Sequence, residues 1–305
     1  MVIAAFCKTG MKMTKPLQRM GIGILAICLL APTTGVTGQT NSAQAVRVGL
    51  VSNEWQRLLM VSRIELALLE LPAHFKQGLD QAKSQGLPIS PEVEVALKAA
   101  ADEVFGAAAL QGAALSHLEA SLSPSQLRDW LAFYQSPLGQ KMAAADERAA
   151  SPDFLRSVMD RAPRLMETVS RDTGRLALLQ SWLDATGAVE QSTNMALHSQ
   201  LALEWGLVST LPRTAGMPTF DELKSYINER RFVVKAHLAQ LALLHSAAAY
   251  QDFSNEDIRQ MLQRANSPAG QALYVNFNRK MHRTLEALVE KVGLTAGRRL
   301  ASHPT

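Results

Sequence analysis

Cysteine is almost missing from this chain. Of 305 residues two are cysteine, Cys7 and Cys28, and both fall within the first forty-five positions. Once that stretch is removed, the rest has no thiol, no disulfide and no thiolate for a metal, so packing alone must hold it together, which its length permits. Acid is missing from the same stretch, which has Lys8, Lys12, Lys15 and Arg19 but no Asp or Glu. The net charge of +4 is therefore local: without those four, 27 basic residues face 27 acidic ones, and the pI near 9.1 makes no case for nucleic acid as a partner.

A long hydrophobic run is lacking too. The apolar stretch Met20–Ala31 falls short of the roughly 20 residues that a spanning helix needs. Preceded by the basic start and followed by Pro32 and small polar residues, it has the three parts of a secretory signal. Cleavage after Gly38 and cleavage after Ala45 both fit, Met11 or Met13 can serve as the start, and an uncleaved anchor is the competing reading. Cys28 follows Ile27 inside the apolar run, which is not a lipoprotein setting. The expectation is an exported, periplasmic protein with no membrane span after cleavage.

Catalytic signatures are lacking as well. There is no Gly-x-Ser-x-Gly and no Gly-x-x-x-x-Gly-Lys. His237 and His245 stand eight apart, two helical turns, with no cysteine or close histidine to join them, so no metal site is assigned. His245 lies in an apolar stripe and reads as a hydrogen-bonded core histidine. Carboxylate pairs such as Glu65 with Glu70, or Asp102 with Glu103, are too ordinary to single out. The runs Asp146-Glu147-Arg148 and Glu229-Arg230-Arg231 read as solvated helix faces. Trp55, Trp130, Trp182 and Trp205 read as core residues, with a groove lining as the alternative. No catalytic residue, cofactor or metal ligand is expected.

What the chain does have is a phrase that occurs twice. Residues 123–140 align without a gap on 254–271 at an offset of 131: Ser123 falls on Ser254, Arg128 on Arg259, Leu131 on Leu262, and Ser136-Pro137-x-Gly139-Gln140 on Ser267-Pro268-x-Gly270-Gln271. Gly86-Leu87-Pro88 answers Gly216-Met217-Pro218 at an offset of 130. This pattern is read as the duplication of a helical unit. It divides the chain into a signal and linker over 1–45, a first repeat over 46–165, a second over 166–295, and a frayed basic tail over 296–305.

Apolar residues recur at spacings of three and four throughout, and no stretch reads as a strand, so the predicted class is all-α, two units packed as an antiparallel bundle with no sheet. A first helix is predicted from Trp55 to Leu71 with a break at Pro72. A long one starts at Ser90-Pro91 and reaches Leu118. Ser123 caps a short helix with Gln126 closing its capping box, and Ser136-Pro137 ends that helix and opens the next. Ser151-Pro152 is a further start, and Pro163, Gly174 and Gly187 are interruptions. Thr219 to Glu222 form a capping box before a long helix reaching Ala248, Ser254 and Asp257 open its short successor, and Ser267-Pro268 open a last helix that ends near Gly293. Gly139 and Gly270 each cost a helix about 1 kcal/mol relative to alanine. A close backbone contact at a tight corner would offset that.

The residues Leu122, Ser123, Gln126, Leu127, Phe133, Tyr134, Ser136, Pro137, Gly139 and Lys141 form the pattern Leu-Ser-x-x-Gln-Leu followed by Phe-Tyr-x-Ser-Pro-x-Gly-x-Lys. That pattern resembles an exported bacterial all-helical family catalogued as a domain of unknown function. In the second copy, Arg264-Ala265 stand where the aromatic pair would be, and Ala272 where the lysine would be. The resemblance implies an all-helical envelope protein and supplies no reaction. The expected role is non-enzymatic: binding a protein or envelope component through an apolar groove. An alternative is an envelope hydrolase or lyase with two acids about 5 to 9 Å apart in a cleft between the repeats. An architectural homo-oligomer is a third.

Overall fold

A computed structural model describes residues 54–84, 86, 89–149, 151–212 and 217–302. The expected signal over 1–45, and half of the Gly-x-Pro echo, lie outside the described residues. All the elements described are helical, and none is a strand.

The chain begins with α1 (Glu54–Val61) and α2 (Ile64–Ser84). The single helix predicted over Trp55–Leu71 is divided because Arg63 takes a left-handed φ of 63°. Pro72, the predicted break, lies inside α2, which forfeits one bond to the Leu68 carbonyl. The long helix predicted over 90–118 is also two, α3 (Pro91–Val104) and α4 (Ala107–Glu119). Phe105 leaves helical geometry between them and buries its ring against Phe75, with centroids 5.7 Å apart.

Then come α5 (Pro124–Gln135), α6 (Pro137–Ala149), α7 (Pro152–Asp160), α8 (Ala162–Arg171), α9 (Thr173–Thr186) and α10 (Ala188–Ser209). Proline opens α5, α6 and α7, and the preceding Ser123, Ser136 and Ser151 each accept a bond from a backbone N–H three residues on. Gly187 ends α9 at φ 64°. Two further helices, α11 (Phe220–Glu229) and α12 (Arg231–Ala249), replace the single one predicted after Thr219, with Arg230 at the joint. Among the described residues α12 is the one helix long and apolar enough to cross a membrane, and 56% of its apolar window is buried in the bundle.

Last are α13 (Asn255–Ala265) and α14 (Pro268–Gln271), the latter continuing through a π-helical turn (Ala272–Phe277) into α15 (Asn278–Ser302). The predicted end near Gly293 and the frayed tail from Ala296 are corrected: α15 runs to Ser302, with Gly293, Ala296 and Gly297 buried. Glycine does not stop this helix; it lets α15 touch α10. A Cβ on Gly293 would lie 2.5 Å from the Leu203 carbonyl oxygen, and one on Gly206 would lie 2.6 Å from that of Glu290. The α10–α15 packing is the most extensive between any two helices described.

Two large cores result, and neither belongs to one stretch of sequence. The first joins α1 to α5 with Leu203 and Leu207 of α10, Ala269, and the π turn and α15 from Ala272 to Ala296. The second joins Met142, Ala145 and Ala149 of α6 with α8 to α13. Each of the two Ser-Pro corners therefore sends the helix it opens into the other's core.

Candidate functional site

Both corners are built alike. Ser136 Oγ donates to the Phe133 carbonyl at 2.6 Å and accepts from Gly139 N at 3.1 Å. Ser267 Oγ donates to the Arg264 carbonyl at 2.7 Å and accepts from Gly270 N at 3.0 Å. A Cβ on Gly139 would lie 1.9 Å from Phe133 O, and one on Gly270 would lie 2.1 Å from Arg264 O, so only glycine fits either place. Upstream, Ser123 and Ser254 close capping boxes with Gln126 and Asp257. The N–H groups that an anion would need at Gly139 and Gly270 are already bonded to serine, which makes the corners structural.

The corners also meet. Trp130, with none of its surface exposed, donates its indole N–H to the Ala269 carbonyl at 2.9 Å. Lys141 pairs with Asp257 at 2.8 Å and lies 4.4 Å from the Phe253 ring centroid. Arg264, which aligns with Phe133 at the offset of 131, covers Trp130 and Phe133 at 4.5 and 4.4 Å and pairs with Asp129 at 3.2 Å. Pro137 and Pro268 open their helices beside this joint.

Next to the joint is a cavity of about 230 Å³ between the two cores, with α2, α5, α6, α9, α10, α12 and α15 all contributing to its lining. Tyr134, Trp182, Tyr250, Tyr274 and Phe277 supply aromatic wall, and Leu68, Leu71, Met142 and Met281 aliphatic wall. Tyr274 sets its ring edge-on to Trp130 and to Trp182, both at 5.5 Å between centroids. Among the described residues no lysine or arginine reaches the lining, whereas two acids do, Asp146 and Glu70.

Asp146 is the unusual group. It is 6% exposed, and among the described residues its one hydrogen bond comes from the Tyr250 hydroxyl, at 3.0 Å to Oδ1. Burial pushes its carboxyl up to about 7, against the opposing effect of the Tyr250 bond. The sequence reading of Asp146 as a solvated residue is thus corrected. The missed signal was its register: Met142, Ala145 and Ala149 are buried on α6 and flank Asp146 at helical spacing. Its neighbours Glu147 and Arg148 pair at the surface with Arg63 and Asp252.

The phenols and imidazoles of the lining are all shifted toward their neutral forms. Burial, and the charge of Asp146 after it, push the Tyr134 and Tyr250 phenols up, and Tyr274 rises by burial and its Tyr134 and Asp146 neighbours. Burial depresses His74 and His245, and holds His282 down to about 4. His245 is buried, with Nε2 3.0 Å from the Ala149 carbonyl, so that nitrogen carries the proton. Gln191 donates through Nε2 to the Thr186 and Tyr274 carbonyls at 2.8 and 2.9 Å, while its buried Oε1 has no partner.

The remaining sequence candidates are scattered. Glu65 accepts from Gln111, Asp102 pairs with Lys76 and Glu103 with Arg299. His237 is exposed and His245 buried. Among the described residues no three of His, Cys, Asp and Glu converge to hold a metal ion. Trp182 lines the cavity, Trp205 meets Phe220 edge-on at 5.4 Å, and Trp55 packs on the first core.

Residues 108–171 match the model of a family described as an uncharacterized protein conserved in bacteria (DUF2059). That segment spans α4 to α8, and so includes the first corner, Lys141 and Asp146, and excludes the second corner. No curated protein and no solved structure matches the chain.

Proposed function

We propose that this chain is an exported envelope protein, made of two duplicated helical units, that binds a small molecule in the cavity between its two cores without transforming it. The observation that carries the reading is the cavity itself. A space of about 230 Å³, walled mainly by aromatic and aliphatic surface with polar groups set among it, has the composition of a ligand site, at a volume suited to a small guest. The hydroxyl of Ser62 donates to the Leu59 carbonyl and the His245 Nε2–H meets the Ala149 carbonyl, so neither group is set as one half of a nucleophile–base pair. The basic, acid-free leader supports export, and the matching corners with their offset of 131 support duplication.

A thermal-shift screen of apolar and amphipathic small molecules tests binding: a ligand of the folded state raises the melting temperature with concentration. A Leu68→Trp variant, which fills the cavity, should abolish every such shift. Shifts that survive that substitution would place the ligand elsewhere and defeat the reading. Export is tested apart from binding, by fractionating cells that express the chain; retention in the cytoplasm would refute it.

A further inference from the structure

We propose that the ligand of this cavity is an amphipathic organic cation, an amine with an apolar body, whose nitrogen sits against Asp146 among the aromatic rings. The proposal rests on the cavity being the ligand site and adds its chemical class. Three features of the lining carry it. The first is a charge left over: Asp146 Oδ2 has no hydrogen bond and no ion pair among the described residues, although the side chain is almost wholly buried and lines the space. A buried carboxylate is stabilised when a cation meets it and is otherwise costly. The second is exclusion: with two acids and no lysine or arginine among the described residues of the lining, an anionic ligand would find no countercharge there. The third is the wall: Tyr134, Trp182, Tyr250 and Tyr274 bring to the acid's surroundings ring quadrupoles, whose negative faces favour a cation. The aliphatic side chains of α2 and α15 then accept the apolar body.

The histidines and phenols that share the lining with Asp146 are neutral near pH 7, and Glu70 of α2 also lines the cavity. His74 on α2, His245 on α12 and His282 on α15 are depressed by burial, and Tyr134, Tyr250 and Tyr274 are raised. A bound ammonium favours the ionised carboxyl, so binding expels a proton from Asp146 and strengthens as pH rises through neutrality.

The test is calorimetric titration of the purified chain with benzylamine, benzyl alcohol and benzoate, probes of one shape and three charges. At about pH 8 benzylamine should bind at least about tenfold more tightly than benzyl alcohol, benzoate should not bind, and the preference should shrink by about tenfold at about pH 6. Asp146→Asn should erase the preference and its pH dependence while keeping benzyl alcohol binding. Equal binding of amine and alcohol, or tighter binding of benzoate, overturns the cation assignment and leaves the cavity as a neutral or anion site. Failure of all three probes overturns the assignment and the cavity reading together. If Asp146→Asn does not melt cooperatively, Trp182→Leu decides: it must weaken benzylamine more than benzyl alcohol, and equal weakening refutes the proposal.

Discussion

Arg264 holds its guanidinium 4.4 Å from the ring centroid of Phe133, and these two residues are each other's counterparts at the offset of 131. Positions that correspond in the two matching stretches of sequence thus touch. The difference between the two stretches at this position has a physical reason: one supplies the ring and the other its cationic cover.

Arg264→Ala should destabilise the protein by about 1 to 3 kcal/mol, through loss of stacking on Trp130 and Phe133 and of the Asp129 pair. Arg264→Lys should recover only part of this, because an ammonium cannot stack and pair in one plane. Urea denaturation of the three proteins measures it. Equal stability for all three would mean that the contact contributes nothing.

Glycine substitutions should separate by place. Gly139→Ala or Gly270→Ala drives a methyl into a backbone carbonyl and should cost about 2 to 4 kcal/mol. Gly112, inside α4 with nothing within 4 Å of an added Cβ, should gain up to about 1 kcal/mol from alanine. Thermal melts of the variants should move in opposite directions.

Asp146 should make stability depend on pH in an unusual sense. Its carboxyl is raised from 3.8 to about 7, so between those values the folded protein keeps a proton that the unfolded chain has lost. That stabilisation is present at the acid end and disappears as pH rises past about 7. Asp146→Asn cannot titrate, so its stability relative to wild type should improve by on the order of 2 to 4 kcal/mol between about pH 5 and about pH 8. The depressed histidines are common to both proteins and cancel in the difference. A gap that stays constant across that range, in paired denaturation curves, contradicts a buried acid.

Separated halves should not fold. The first core needs α15 and the second needs α6, so residues 46–165 or 166–302 expressed alone lack part of their own packing. Far-ultraviolet dichroism should show no cooperative melt for either piece, and co-expression should restore one. A cooperative melt for a lone half would disprove the interdependence.

The class of fold and the two corners were legible because local chemistry decides them. Serine at a cap and proline in a first turn act within a few residues, and Gly139 betrayed its contact by being costly in a helix. Long helices were read as continuous where they divide, at Arg63, Phe105 and Arg230, because a buried ring or a left-handed residue carries no strong mark in sequence. Gly293 looked like a stop for the opposite reason, since its partner, Leu203, is ninety positions away in the chain. Asp146 was hidden among charged neighbours, and only its alignment with buried alanines distinguished it. The cavity depends on seven helices meeting, which no single stretch encodes.

The glycine contacts between α10 and α15 leave little side-chain bulk between their backbones at the crossing, so a displacement of either helix there is carried straight to the other. Gln191 and Ser192 sit on the first, Met281 and His282 on the second. Two sides of the cavity are therefore coupled through that crossing, and adjustment to guests of different girth falls to the helices that face them, among them α2, which starts just past the left-handed Arg63.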